Sequence, residues 1–148
     1  EVNTILKKSK EKLIAARSLR IAPHKDDKIL SDMNGLLLWS LSKCYLASGS
    51  DYFLIEAKAI AAFLLEKMIR PDGRIMHRFI GNTAEILGFL DDYSFAISGF
   101  LKLYEATGDE IHFKTALLMQ DYLDKHFHSD GGGYYTTEMN DLPLRTKE

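Results

Sequence analysis

The chain has 148 residues, of which 46% are hydrophobic and 27% are charged, and its formal net charge is −2. This composition is typical of one soluble globular domain, 1–148, and it excludes a disordered or collagen-like chain. The charge gives no reason to expect a nucleic-acid partner, and no apolar run approaches the roughly 20 residues that span a membrane.

Two further observations concern the cell compartment and the thiol chemistry. The opening residues lack the pattern of a secretory signal, which favours a cytoplasmic protein. Cys44 is the only cysteine, which excludes an intramolecular disulfide and a zinc site built on paired cysteines. Because Cys44 lies in the apolar run 36–46, we expect it to be buried.

The first third of the chain reads as helical. A leading helix is predicted over residues 3–19, where apolar side chains recur at helical spacing, and it ends before Pro23. An almost entirely apolar helix follows Asp32, and Gly49 separates it from a helix that carries a single apolar stripe. These two helices form the predicted hairpin one, 33–69.

The remaining chain repeats this pattern after a short β-hairpin. The β-hairpin is predicted to have strands at 74–79 and 85–87 and a turn at 81–83. Hairpin two is predicted over 92–127, and a C-terminal tail follows over 134–148. The two helical hairpins match at an offset of 59 residues. The matching positions include Asp32 with Asp91, Leu38 with Ile97, Gly49 with Gly108, Ala57 with Ala116 and Gly73 with Gly132.

This repeat predicts an all-α fold in which antiparallel helical hairpins form two layers. Each hairpin leaves an apolar face that only a neighbouring hairpin can cover. We therefore expect Leu38 and Ile97 to face a common centre. We also expect the uncovered hairpin faces to make the isolated chain self-associate, because large exposed apolar patches promote association.

Several motifs of this chain occur together in one protein family. They lie within residues 17–36, which include Asp26-Asp27-Lys28 and Met33-Asn34-Gly35, and within residues 89–95, 103–109, 131–135 and 141–148. In this order and spacing they resemble the C-terminal region of the spermatogenesis-associated protein 20 family. Members of that family join a thioredoxin-like domain to an (α/α)6 toroid, and the resemblance covers essentially the whole chain.

The resemblance implies a six-hairpin glycosidase-like toroid, of which this chain would be a middle slice. Glycoside hydrolases and sugar epimerases share that fold, so the implied partner is a sugar-like small molecule, and no cofactor is expected. The implied activity of the family is acid/base chemistry on a carbohydrate. We expect the isolated chain to be inactive by itself.

The loops that precede the inner helices of such toroids line one mouth of the ring, which implies a site there. Paired carboxylates or an imidazole in such a cleft supply the general acid and base that sugar chemistry needs. The histidines show no metal-ligand pattern, so no metal is expected. The candidate catalytic residues are Asp27, His77 and Asp92, and the candidate substrate-binding residues are Lys28, Asn34, Arg78 and Tyr93.

Each candidate also has a structural interpretation. Asp32 and Asp91 precede helices, where a carboxylate caps free backbone N–H groups. The protein as a whole could equally be a non-catalytic helical scaffold or binding module. Under that alternative Asp27 and Asp92 form ion pairs with Arg17, Arg20 or Lys28, His77 is a half-buried structural histidine, and Tyr93 packs in the core.

Overall fold

The computed structural model describes residues 2–139, so the part of the predicted C-terminal tail beyond residue 139 lies outside the described residues. Most of this part of the chain is helical, as predicted. The helices are α1 (Val2–Ser18), α2 (Ser31–Ser48), α3 (Asp51–Phe63), α4 (Leu90–Thr107) and α5 (Glu110–His126), and α3 continues into a π-helical turn at Leu64–Met68. The strands are β1 (Ile29–Leu30), β2 (Met76–Ile80) and β3 (Thr83–Leu87).

The two helical hairpins, α2–α3 and α4–α5, turn in the same way. Gly49 and Gly108 end the first helix of each pair with φ angles of 67° and 69°, a left-handed conformation that glycine adopts without strain. Each glycine donates its backbone N–H to a carbonyl one turn earlier, on Tyr45 or Tyr104, at 2.8 Å. The next helix begins within two residues, so the two helices of a pair must lie antiparallel.

The inner helices α2 and α4 cross at very short range, and glycine makes this possible. A Cβ atom on Gly35 would lie 2.6 Å from backbone atoms of Phe95 and Ala96, and a Cβ on Gly99 would lie 2.7 Å from the Gly35 carbonyl oxygen. Leu38 is fully buried beside this crossing. Ile97 packs against the same core, so the two residues share a centre as the repeat predicts.

The outer face of α2 differs from the prediction. Met33 and Leu37 have 54% and 47% of their surface exposed, and Cys44 is exposed, so the prediction that Cys44 is buried is wrong. The apolar sequence of α2 predicts a helix that is buried on most sides, but within residues 2–139 this helix packs chiefly on α4 and α3. Helix α1 has no buried residue.

The three strands form an antiparallel sheet in the order β1-β2-β3, which includes the predicted β-hairpin. Gly81 and Asn82 turn that hairpin with φ angles of 53° and 70°, as a tight two-residue turn of the primed type requires. The sheet connects hairpin one to hairpin two and brings β2 beside the first residues of α2 and α4. None of the helices within residues 2–139 is both long and apolar enough to cross a membrane.

Candidate functional site

A cleft of about 400 Å³ opens where the first residues of α2 and α4 meet β2. This volume lies within the range of small-molecule sites, and the cleft combines an aromatic ring with several polar groups. The lining residues are Asp32, His77, Phe89, Leu90, Asp91, Asp92, Thr136 and Thr137.

Asp92 is the structural centre of this cleft. Its side chain is 1% exposed, and its two oxygens accept backbone N–H groups at the starts of two different helices. Oδ1 accepts the N–H of Asp32 at 3.0 Å, and Oδ2 accepts the N–H of Phe89 at 2.8 Å. The residues before α2 and α4 are Leu30 and Phe89, whose side chains cannot cap a helix, so one buried carboxylate serves both helix starts.

The capping prediction for Asp91 is therefore corrected by one residue, to Asp92, whereas Asp32 does accept a backbone N–H in the first turn of its helix. Asp32 Oδ1 accepts the N–H of the adjacent Met33 at 2.6 Å, and Asp91 is exposed on the rim of the cleft. Asp92 lies at the third position of α4, where a side chain reaches back to the residue that precedes the helix.

His77 and Asp92 form a closely paired imidazole and carboxylate. Nδ1 of His77 lies 2.9 Å from Asp92 Oδ2 and 3.1 Å from Oδ1, and 22% of the His77 side chain is exposed. An ionised carboxylate can only accept hydrogen bonds, so Nδ1 donates and the neutral ring keeps its lone pair on Nε2. Burial raises the pKa of Asp92, while the Phe89 N–H and the His77 ring act in the opposite direction.

Asp32, His77 and Asp92 also lie close enough together to hold a metal ion. Their ligand atoms are all within 4.8 Å of one another, and two carboxylates with one imidazole suit a divalent cation. However, Asp92 already accepts two backbone N–H groups and His77, so an ion would compete with those hydrogen bonds. The expectation that the site holds no metal stays a prediction.

The structure brings two of the seven predicted site residues, His77 and Asp92, into the cleft. Asn34 is nearby but donates its side-chain N–H to the Leu30 carbonyl at 2.7 Å, within its own helix start. Tyr93 is buried in the core, where its ring stacks on Tyr122.

The other three predicted site residues lie on strand β2 or on the segment before β1. Arg78 pairs with Glu85 across the β2–β3 hairpin at 2.6 Å. Lys28 pairs with the exposed Asp26 at 3.1 Å, and Asp27 is exposed on the same segment. None of the three is among the residues that line the cleft.

The sequence analysis did not predict Thr136 and Thr137 as site residues, although the 59-residue repeat indicates their position. At the 59-residue offset, Thr136 corresponds to His77. The structure preserves this correspondence, because bridges join Ile69 to Ile75 and, 59 residues later, His128 to Tyr134. Each repeat therefore sends the segment after its second helix to the same cleft.

A hydrogen-bonded network fixes the second of these segments over the cleft. The N–H of Leu90, the first residue of α4, donates to the Thr136 carbonyl at 3.0 Å. Glu138 accepts the Tyr122 hydroxyl at 3.0 Å and lies 3.2 Å from a ring nitrogen of His126. Tyr122 in turn accepts a hydrogen bond from Arg74 at 2.8 Å.

Comparison with known proteins places this arrangement in a wider context. The chain is 38% identical to human spermatogenesis-associated protein 20 and 35% identical to the mouse protein, over 99% of its own length. It spans about a fifth of the length of these curated relatives. No protein-family profile matches the chain.

Solved structures share the fold at lower identity. A cellobiose 2-epimerase from Spirochaeta thermophila has a TM-score of 0.70 at 22% identity, over 79% of this chain and 31% of that protein. A D-mannose isomerase has a TM-score of 0.68 at 16% identity, over 76% of this chain and 31% of that protein.

A third structure, the GH76 α-mannanase BT2949 of Bacteroides thetaiotaomicron, has a TM-score of 0.59 at 20% identity, over 81% of this chain and 37% of that protein. At these identities the likeness concerns the fold alone. The family resemblance indicated by the motifs is confirmed, because along its whole length the chain matches a segment of spermatogenesis-associated protein 20. Its helical fold is similar to that of six-hairpin glycosidase-fold epimerases over 30% and 31% of their length.

Proposed function

We propose that the intact protein acts on a carbohydrate by acid/base chemistry in which His77 moves the proton and Asp92 orients His77. The observation that carries the proposal is the contact of His77 Nδ1 with both oxygens of the buried Asp92, at 2.9 and 3.1 Å. This contact assigns the lone pair to Nε2 of a residue that lines the cleft. The carbohydrate class is supported by the fold shared with sugar epimerases and a mannanase.

The chemistry that suits one imidazole beside a buried carboxylate is proton abstraction next to a sugar carbonyl. The C–H bond breaks, its electron pair moves toward the carbonyl oxygen, and Nε2 of His77 takes the proton. The imidazolium that results is stabilised by Asp92, which accepts a hydrogen bond from the Nδ1–H group throughout. Return of a proton from solvent to the opposite face of the same carbon gives the epimer. Return of the proton from His77 to the neighbouring carbon gives the isomeric sugar, as the hydroxyl proton of the first carbon passes to the former carbonyl oxygen.

The proposal extends to the architecture of the intact protein. The two hairpins would be part of a closed (α/α)6 toroid, and the exposed apolar faces of α1 and α2 would pack against the other hairpins of that ring. In the isolated chain a second copy would cover those faces, and the chain would be inactive. Light scattering tests this point, because a monodisperse monomer at high concentration would contradict self-association.

A non-catalytic scaffold is the second candidate, and one observation favours it. Asp92 already has a structural role, because it accepts a backbone N–H of α2 and the N–H of the residue that precedes α4. Under this alternative His77 only completes the hydrogen bonding of Asp92. The two candidates therefore make opposite predictions for a change at His77.

The decisive experiment replaces His77 with glutamine in the intact protein, with His24→Gln as a matched control because His24 is exposed. Cellobiose and mannose are incubated with each variant in D2O, and deuterium incorporation and product formation are measured. Loss of the general base should slow turnover by about 10²–10⁴-fold in His77→Gln only, with a melting temperature near that of the wild type. Equal turnover in both variants would refute the role of His77. Absence of turnover in the wild-type protein would refute the catalytic proposal and favour the scaffold function.

A further inference from the structure

Phe89 occupies a position at which a phenylalanine is unexpected. It directly precedes α4, where small polar side chains are preferred because they accept a free backbone N–H. Its ring accepts no hydrogen bond there, and the carboxylate of Asp92 binds the Phe89 N–H instead, at 2.8 Å. Helix capping therefore does not explain the choice of this residue.

Core packing does not explain Phe89 either. The residue is 39% exposed, whereas the aromatic core residues Tyr93, Phe100 and Phe127 are each at most 1% exposed. Its ring lines the cleft of about 400 Å³ and also a second cavity of about 220 Å³, which shares Thr137 with the first. Phe89 thus forms an apolar wall between two open spaces.

The ring is held in a fixed relation to the candidate base. The centroids of Phe89 and His77 lie 5.0 Å apart with an interplanar angle of 73°, an edge-to-face contact. Both residues are also tied to Asp92, Phe89 through its backbone N–H and His77 through Nδ1. A molecule lying on the Phe89 ring would therefore be placed next to His77.

We infer that Phe89 is a binding platform for the C–H face of a neutral pyranose ring, and this inference rests on the proposed function. A pyranose presents an apolar C–H face and a rim of hydroxyl groups. The cleft offers the matching surfaces, an exposed aromatic ring flanked by the carboxylate of Asp91 and the threonines Thr136 and Thr137. Phe89 holds the closed ring beside His77, and opening of the reducing ring then exposes the carbonyl and the adjacent C–H bond to this base.

The test replaces Phe89 with leucine, which keeps apolar bulk without the ring face, and separately with tyrosine, which keeps the ring. Phe113→Leu is the matched control, because Phe113 is also 39% exposed and is not among the cleft-lining residues. Binding of cellobiose and mannose to the intact protein is measured by titration calorimetry. We expect Phe89→Leu to weaken binding about ten-fold, which corresponds to about 1.4 kcal/mol, while Phe89→Tyr and Phe113→Leu bind like the wild type.

Several outcomes would overturn the inference. They are unchanged binding in Phe89→Leu, equal losses in Phe89→Leu and Phe113→Leu, or no binding of either sugar to the wild type. Melting temperatures separate lost contact from lost folding, and Phe89→Tyr supplies a folded comparison if Phe89→Leu is unstable. Because this experiment measures binding and the His77 experiment measures turnover, sugar that binds through Phe89 without reacting would refute only the proposed function.

Discussion

Replacing Gly35 with alanine tests the close crossing of α2 and α4. The new methyl group would lie 2.6 Å from backbone atoms of Phe95 and Ala96, whereas carbon atoms prefer about 3.5–4.0 Å, so the two helices must separate by about 1 Å. Overpacking of this kind costs about 1–3 kcal/mol, and we take the upper end because backbone atoms cannot rotate away. Alanine regains about 1 kcal/mol of helix propensity, which leaves a net loss of about 2 kcal/mol.

For a protein of this size such a loss lowers the melting temperature by about 4–8 °C, which circular dichroism measures directly. Gly131→Ala is the control, because its nearest neighbour would be the Ser129 hydroxyl at 3.8 Å, and it should change the melting temperature by less than about 2 °C. Separation of the helices should also weaken the hydrogen bond from Asp32 to Asp92, one turn before Gly35. A Gly35→Ala protein as stable as the wild type would refute the close crossing.

Two further predictions concern acid sensitivity and backbone strain. Burial, with a smaller contribution from Lys58, lowers the pKa of His112, against the opposing effect of Asp109. The folded protein therefore binds fewer protons, and its stability falls as the pH drops below about 6.5 and through the lowered pKa. His112→Leu should lose less melting temperature than the wild type between about pH 7 and pH 5, and equal losses would exclude His112 as a cause. Ile86 has a φ of 64°, which strains a β-branched residue, so Ile86→Gly should raise the unfolding free energy by about 0.5–1 kcal/mol. Ile86→Val should not change it, and a lower denaturation midpoint for Ile86→Gly would contradict the strain.

The features that sequence reasoning predicted correctly are those with a periodic or local cause. Helical spacing of apolar residues indicated the helices, and the Gly81-Asn82 pair indicated the tight turn of the β-hairpin. The repeat indicated that α2 and α4 are equivalent and share a centre. The aspartate pair before the second apolar run was also visible in the sequence, and the structure places Asp92 at the third position of α4.

The features that it missed depend on contacts between distant parts of the chain. The hydrophobicity of α2 predicts that its surface is covered, but it does not identify the element that covers it. The exposure of Cys44 could therefore not be predicted from the sequence. The contact of His77 with Asp92 requires the sheet to fold back onto the helix starts, which no local pattern specifies. Tyr93 adjoins Asp92 in sequence, and the helix turns its side chain toward Tyr122 in the core, which agrees with the structural interpretation of this residue and not with its assignment to the site.

The double attachment of Asp92 has a consequence for the comparison of related sequences. A lineage that abandoned the chemistry would still need this carboxylate to begin two helices, so selection for folding alone would retain it. Selection for folding alone would not retain His77, so this residue could be substituted. Under the proposed function, the residue at position 77 would therefore distinguish active homologues from inactive ones, whereas an aspartate at position 92 would be uninformative.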